Sequence, residues 1–181
     1  MTEIDFIILD FIREKLSNGF FDFVMPKLTA VGNVGFIWIF VAAAMVISRK
    51  YRRNGLELAA GLVGCALVGN LLLKNLIARQ RPCWINDTIE LLIAVPKDYS
   101  FPSGHTMASF AAAAIILHAN KKLGIAAYIL AAVIAFSRLY LYIHFPTDVL
   151  AGAVIGTVIG IAVCFFSKKI FPQKELHDAE K

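Results

Sequence analysis

Apolar residues are gathered into five stretches separated by short polar links. They cover about 34–48 (VGFIWIFVAAAMVIS), 56–78 (LELAAGLVGCALVGNLLLKNLIA), 104–119, 123–141 and 147–167. A helix needs ~20 apolar residues to cross a ~30 Å hydrocarbon layer. The pattern therefore predicts an all-α, polytopic membrane helix bundle with five transmembrane helices. Small residues recur within the stretches, as in AGLVG, ASFAAAA and AGAVIGTVIG. They suit close helix–helix packing in lipid, although such helices also tolerate small residues without using them.

Residues 4–31 follow another pattern. Asp5, Asp10, Arg13, Glu14, Lys15, Asp22 and Lys27 interrupt the apolar positions too often for a bilayer centre. Ile4, Ile7, Ile8, Phe11 and Ile12 recur at helical spacing and make one apolar face. One or two amphipathic helices lying at the interface are expected, with a sixth, weakly hydrophobic span as the alternative. The chain thus divides into an amphipathic segment (1–33), a transmembrane domain (34–169) and a polar cytoplasmic tail (170–181).

Composition agrees with a membrane location: 59% of residues are hydrophobic and 17% charged, against roughly a quarter charged in soluble domains. The net charge of +5 comes from basic residues in the links SRKYRR (48–53), NKK (120–122) and SKK (167–169). Basic links mark the cytoplasmic side, so the charge reports topology and implies no nucleic-acid partner. The links at about 79–103 and 140–147 then face outward. A multi-pass protein of the cell membrane is expected, its site on the extracytoplasmic side. The opening MTEIDFIILD has no basic n-region, so a removable signal peptide is not expected. Cys65, Cys83 and Cys164 give neither a disulfide framework nor metal-ligand spacing.

The outward links and adjoining helix ends hold Lys74, Arg81, Ser103, His105, Arg138, His144 and Asp148. Lys74 and Arg81 are seven residues apart, which predicts one helix face two turns apart, with Pro82 ending the helix. A snorkelling lysine and an interfacial arginine are the bland alternatives. Ser103 is a good N-cap for a helix beginning at Gly104, whose free N–H groups and positive dipole end suit an anion. Gly104 would open the backbone to that anion, and His105 would lie beside it, unless it is incidental to a capped helix. His144, before Pro146, is expected in the first turn of the last helix. Asp148, four residues on, can reach one imidazole nitrogen and leave the other free to attack; a simple capping role is the alternative. Together, three cations, two histidines and a helix N-terminus on one membrane side point to phosphate. No carboxylate cluster suggests a metal, and no cofactor is expected.

KNLIARQRP (74–82), PSGH (102–105) and SRLYLYIHFPTD (137–148) resemble the three signature motifs of the type 2 phosphatidic acid phosphatase family: K-x6-RP, PSGH and SR-x5-H-x3-D. That superfamily also includes bacterial acid phosphatases, glucose-6-phosphatase and vanadium haloperoxidases. All three motifs match in order and at full spacing within 74–148, and the flanking spans fit the membrane branch. Residues 1–31 and 83–101 carry no motif.

The resemblance implies roles. His144 would attack phosphorus and form a phosphohistidine, Asp148 would orient it, and His105 would protonate the leaving oxygen. Lys74, Arg81 and Arg138, with the Ser103 hydroxyl and the Gly104 N–H, would hold the phosphoryl oxygens. The implied function is a metal-independent lipid phosphatase, with undecaprenyl diphosphate as leading substrate. Phosphatidylglycerophosphate and phosphatidic acid are the alternatives. A transporter with a charged relay is the non-enzyme alternative; it does not explain the histidine–aspartate spacing. A serine hydrolase built on Ser103, His144 and Asp148 would have no use for three cations, and a haloperoxidase would need vanadate and a soluble scaffold.

Overall fold

The computed structural model of the chain describes residues 2–32 and 35–170, and its regular elements there are helical. Two helices, α1 (Thr2–Leu16) and α2 (Gly19–Val31), precede α3 (Phe36–Ile47) and α4 (Arg52–Cys65). α4 continues through a π-helical stretch, Ala66–Leu73, into a last turn, α5 (Lys74–Ile77). The short α6 (Pro82–Ile85) and a long irregular link lead to α7 (Gly104–Ala119), α8 (Lys121–Tyr140) and α9 (Pro146–Ile170). Arg52–Ile85, Lys121–Tyr140 and Pro146–Lys169 are long and apolar enough to cross a membrane; Phe36–Ile47 and Gly104–Ala119 are shorter apolar helices. The expected polar tail lies, beyond Ile170, outside the described residues.

α7 sits at the centre of the bundle, packed by α4, α8 and α9. Its residues Met107, Ala111, Ala112, Ala113 and Ile115 are all buried. Small residues set the distance to α9. A Cβ at Gly156 would sit 2.1 Å from the Met107 carbonyl oxygen. At Gly152 and Gly160 it would sit 2.8 and 2.7 Å from the carbonyl oxygens of Ser103 and Ala111. Glycine every fourth residue thus lets α9 lie directly on the α7 backbone, so these small residues are used. On its far side α9 exposes Leu150, Val154, Val158, Ile161 and Phe165. An apolar stripe of this extent facing outward suits lipid.

The N-terminal residues form two helices because Asn18 stops the first and caps the second, accepting from Phe21 N at 3.0 Å. Ile4, Ile7, Ile8 and Phe11 of α1 point outward, whereas Ile12 is buried. Ile12 therefore does not belong to the outward apolar face that its spacing suggested. The protein-facing side of α1 carries Asp5 and Leu9. The acids that interrupt this segment reach the end of α8 and the turn after it. Tyr142 donates to Asp10 at 2.7 Å and Tyr140 to Asp22 at 2.6 Å.

Candidate active site

Three chain segments converge at one end of the bundle. Lys74 closes the π-helical stretch, its N–H reaching back five residues to the Gly69 carbonyl. The chain then leaves the helix at Ala78, which adopts φ 46°. Arg81 follows in extended conformation as the N-cap of α6, with Pro82 at its first position. Lys74 and Arg81 therefore do not share a helix face, and Pro82 starts a helix instead of ending one. The break brings both side chains inward, at 9% and 2% exposure.

α7 starts at Gly104 as expected, with Ser103 at the N-cap position. The Ser103 side chain does not cap; its Oγ lies 2.9 Å from Thr106 Oγ1 and is fully buried. Gly104 leaves room for Asn70, whose Oδ1 would lie 3.0 Å from a Cβ there.

The third segment also differs from expectation. α9 begins at Pro146, so His144 lies in the preceding turn and outside the helix. Its ring is buried. Nε2 stands 3.1 Å from Nη1 of Arg81, while Nδ1 is 3.7 Å from Asp148 Oδ2, too far for a hydrogen bond. The Ser100 hydroxyl bridges this gap, 2.5 Å from Asp148 Oδ2 and 3.4 Å from His144 Nδ1. Asp148 Oδ2 also accepts from Phe145 N at 2.9 Å, so the alternative capping role is real. Burial first, then Arg81, Arg138 and Lys74, hold the His144 imidazole well below its ordinary pKa and keep it neutral.

A cavity of about 420 Å³ is lined by Lys74, Arg81, Gly104, His105, Arg138 and His144, with Thr29, Asp98 and the apolar 93–96 link around them. Six of the eight expected site residues thus meet at one cavity. Ser103 and Asp148 are buried and do not line it. Arg138 donates to Thr29 Oγ1, and its Nε is buried without a partner.

Several further residues come into contact with this set. Asp98 contacts Lys74 Nζ and lies 2.8 Å from Nη2 of Arg81. Partial burial would raise its pKa, but Lys74 and Arg81 outweigh that and hold it at about 2. Arg79 donates through Nη1 to Asp148 Oδ1 at 2.6 Å and through Nη2 to buried Asp5 at 2.7 Å. Asp5 also accepts from Thr147 N at 3.1 Å. The first helix is thereby tied to the carboxylate behind His144. Arg79 falls within the x6 of the first motif, and that position was its one sequence signal. Among the described residues, no three His, Cys, Asp or Glu side chains are grouped to hold a metal.

A sequence model of the PAP2 superfamily matches residues 54–171, more than half of the chain. An undecaprenyl-diphosphatase of Bacillus subtilis is 31% identical over 160 residues, covering 88% of this chain and 81% of its own. An undecaprenyl-diphosphatase of Sulfolobus acidocaldarius is 34% identical over 123 residues; that match spans 67% of this chain and 59% of the relative's length. The crystal structure of a transmembrane PAP2-type phosphatidylglycerolphosphate phosphatase from Bacillus subtilis superposes with a TM-score of 0.78 at 28% identity. It covers 96% of this chain and 89% of that one. Matching motifs, helical bundle and relatives agree: the chain belongs to the PAP2 superfamily, among its membrane lipid phosphatases.

Proposed function

We propose that the chain hydrolyses a lipid diphosphate or phosphomonoester through a phosphohistidine on His144, and that undecaprenyl diphosphate is its substrate. The observation that carries this is the cavity where Lys74, Arg81, Arg138, His105 and His144 meet. Three cations match the oxygens of a terminal phosphate, and two histidines supply a nucleophile and an acid. Nε2 of His144 attacks phosphorus while the bond to the lipid-side oxygen breaks, and His105 gives that oxygen a proton. Water then attacks the phosphohistidine, His105 takes its proton, and inorganic phosphate leaves. Ser100 links the Nδ1 side of His144 to Asp148, so the carboxylate orients the ring through a hydroxyl. Lys74, Arg81 and Arg138 balance charge in the transition state, so the mechanism needs no metal.

Two of the relatives support the isoprenyl substrate by name. The solved phosphatidylglycerolphosphate phosphatase favours the second reading, a phospholipid monoester. A substrate panel with detergent-purified protein decides between them. Undecaprenyl diphosphate is expected to give the highest kcat/KM, unchanged by excess EDTA, and vanadate is expected to inhibit. A clear preference for phosphatidylglycerophosphate would reverse the substrate assignment. Inactivation by EDTA that a divalent ion restores would rule out the metal-independent mechanism.

The domain plan we propose keeps an interfacial segment over 1–33, five spans within 34–169 and a cytoplasmic tail from 170. The basic links favour the extracytoplasmic side of the cell membrane for the cavity. The native cysteines are buried, which favours labelling. A membrane-impermeant thiol reagent applied to intact cells is expected to label Asn86→Cys and to spare Asn120→Cys. The reverse pattern would place the cavity in the cytoplasm.

A further inference from the structure

The cation cradle holds an anion of its own. Asp98 contacts Lys74 Nζ and lies 2.8 Å from Nη2 of Arg81, so one carboxylate engages two of the three cations. The backbone beneath it is pinned. Arg81 Nε donates to the Asp98 carbonyl at 2.7 Å, Trp84 Nε1 to the Pro96 carbonyl at 3.1 Å, and Ser100 N to the Arg79 carbonyl at 2.8 Å. The Asp98 side chain is 56% exposed, whereas those of Lys74 and Arg81 are 9% and 2% exposed. Rotation of one side chain therefore takes the carboxylate off the cations without moving the link, and the cations cannot follow it. A phosphoryl group bound by Lys74 and Arg81 competes with Asp98 for them.

We propose that Asp98 sets the binding threshold of the site: it is an internal anion whose displacement lowers occupancy by every anion, so that a terminal phosphate still binds and a membrane phosphodiester does not. The inference rests on the reading of the cavity as a lipid-phosphate site. Its physical basis is competition. Phospholipids crowd such a site with phosphodiesters, and an uncovered set of Lys74, Arg81 and Arg138 would bind them. A diester and a carboxylate each offer one negative charge and two free oxygens. Exchanging one for the other gains little at Lys74 and Arg81. A terminal phosphate carries up to two charges and three free oxygens. It can replace Asp98 and still engage Arg138, which lines the same cavity. The internal anion weakens all competing anions by the same factor. The diester then falls below useful occupancy while the terminal phosphate stays above it. Asp98 is ionised throughout the neutral range, so the competitor is always present.

The test compares the whole protein in detergent with Asp98→Asn and Asp98→Glu. Calorimetry reads the binding of inorganic phosphate, with and without phosphatidylglycerol in the micelle. Asp98→Asn is expected to bind phosphate about ten-fold more tightly, the scale of losing a partly exposed charge contact. Phosphatidylglycerol is expected to weaken that binding in Asp98→Asn and to leave wild type unaffected. Asp98→Glu keeps the charge and is expected to resemble wild type. Asp98→Ser serves in the same comparison if the asparagine variant fails to fold. Equal or weaker phosphate binding by the uncharged variants would overturn the proposal, since Asp98 would then be organising the cations for phosphate. Equal competition by phosphatidylglycerol in wild type and variant would overturn it too. If such results come with wild-type hydrolysis of lipid phosphate intact, the Asp98 proposal alone fails. Wild type that neither binds phosphate nor hydrolyses lipid phosphate would overturn the functional reading and this proposal with it.

Discussion

Replacing His144 with alanine is expected to leave a folded protein that releases no phosphate from lipid or aryl phosphates. The imidazole is the group that forms the bond to phosphorus in the proposed chemistry. Burial and three neighbouring cations keep its lone pair unprotonated at neutral pH. Nε2 stands 3.1 Å from Arg81 on the cavity side, and the Ser100–Asp148 pair backs Nδ1. Under the proposed mechanism no other side chain forms the bond to phosphorus, so the loss is expected on the order of 10⁴-fold or more. The direct measurement is a covalent one. Wild type mixed with substrate labelled in its terminal phosphate and quenched in alkali, which spares phosphohistidine, should carry label on the protein. His144→Ala should carry none while its melting temperature stays near that of wild type. Absence of label in wild type at saturating substrate, or near-normal turnover in His144→Ala, would exclude the covalent route.

The bundle was legible from sequence because lipid imposes simple rules. Apolar runs have to match a thickness, and basic links mark a side. The glycines of α9 were legible as a packing device because their four-residue period is local. The site was legible as a list of residues more than as a geometry. Seven residues separate Lys74 from Arg81, and an unbroken helix would align them. The left-handed Ala78 breaks that helix, and nothing in an alanine announces a positive φ. The spacing of His144 and Asp148 gave proximity without contact, because Asp148 spends an oxygen on the Phe145 N–H. Asp98 and Ser100 lie in a link with no hydrophobic period, and their side-chain partners are 17 to 48 residues away. Asp5 meets Arg79 across 74 residues. Pairings over such distances follow from tertiary packing, which no local pattern encodes. The amphipathic reading of α1 found its outward apolar residues Ile4, Ile7, Ile8 and Phe11 and missed what its other side does.

His105 separates from His144 by what the substrate requires of its leaving group. It sits in the first turn of α7, lines the same cavity and packs by the end of α2, where a Cβ on Gly32 would lie 3.0 Å from its Cδ2. Under the proposed mechanism it forms no bond to phosphorus; it donates a proton to the departing oxygen. General acid help is worth about 10²–10⁴-fold, and its value falls as the leaving group becomes a better anion. A lipid alkoxide is a poor leaving group, so His105→Ala is expected to lose activity across that range on a phosphomonoester lipid. On a diphosphate the leaving group is itself a phosphate, and the loss should shrink. On an activated aryl phosphate it should shrink further, while His144→Ala stays inactive on all three. His105→Ala should also still acquire label from the aryl phosphate, because attack by His144 does not need the acid there. The measurement is kcat/KM for both variants on the three substrates, with alkaline quench on the last. Equal losses for the two variants on every substrate, or no label in His105→Ala from the aryl phosphate, would mean that the two histidines do not divide the work between nucleophile and acid.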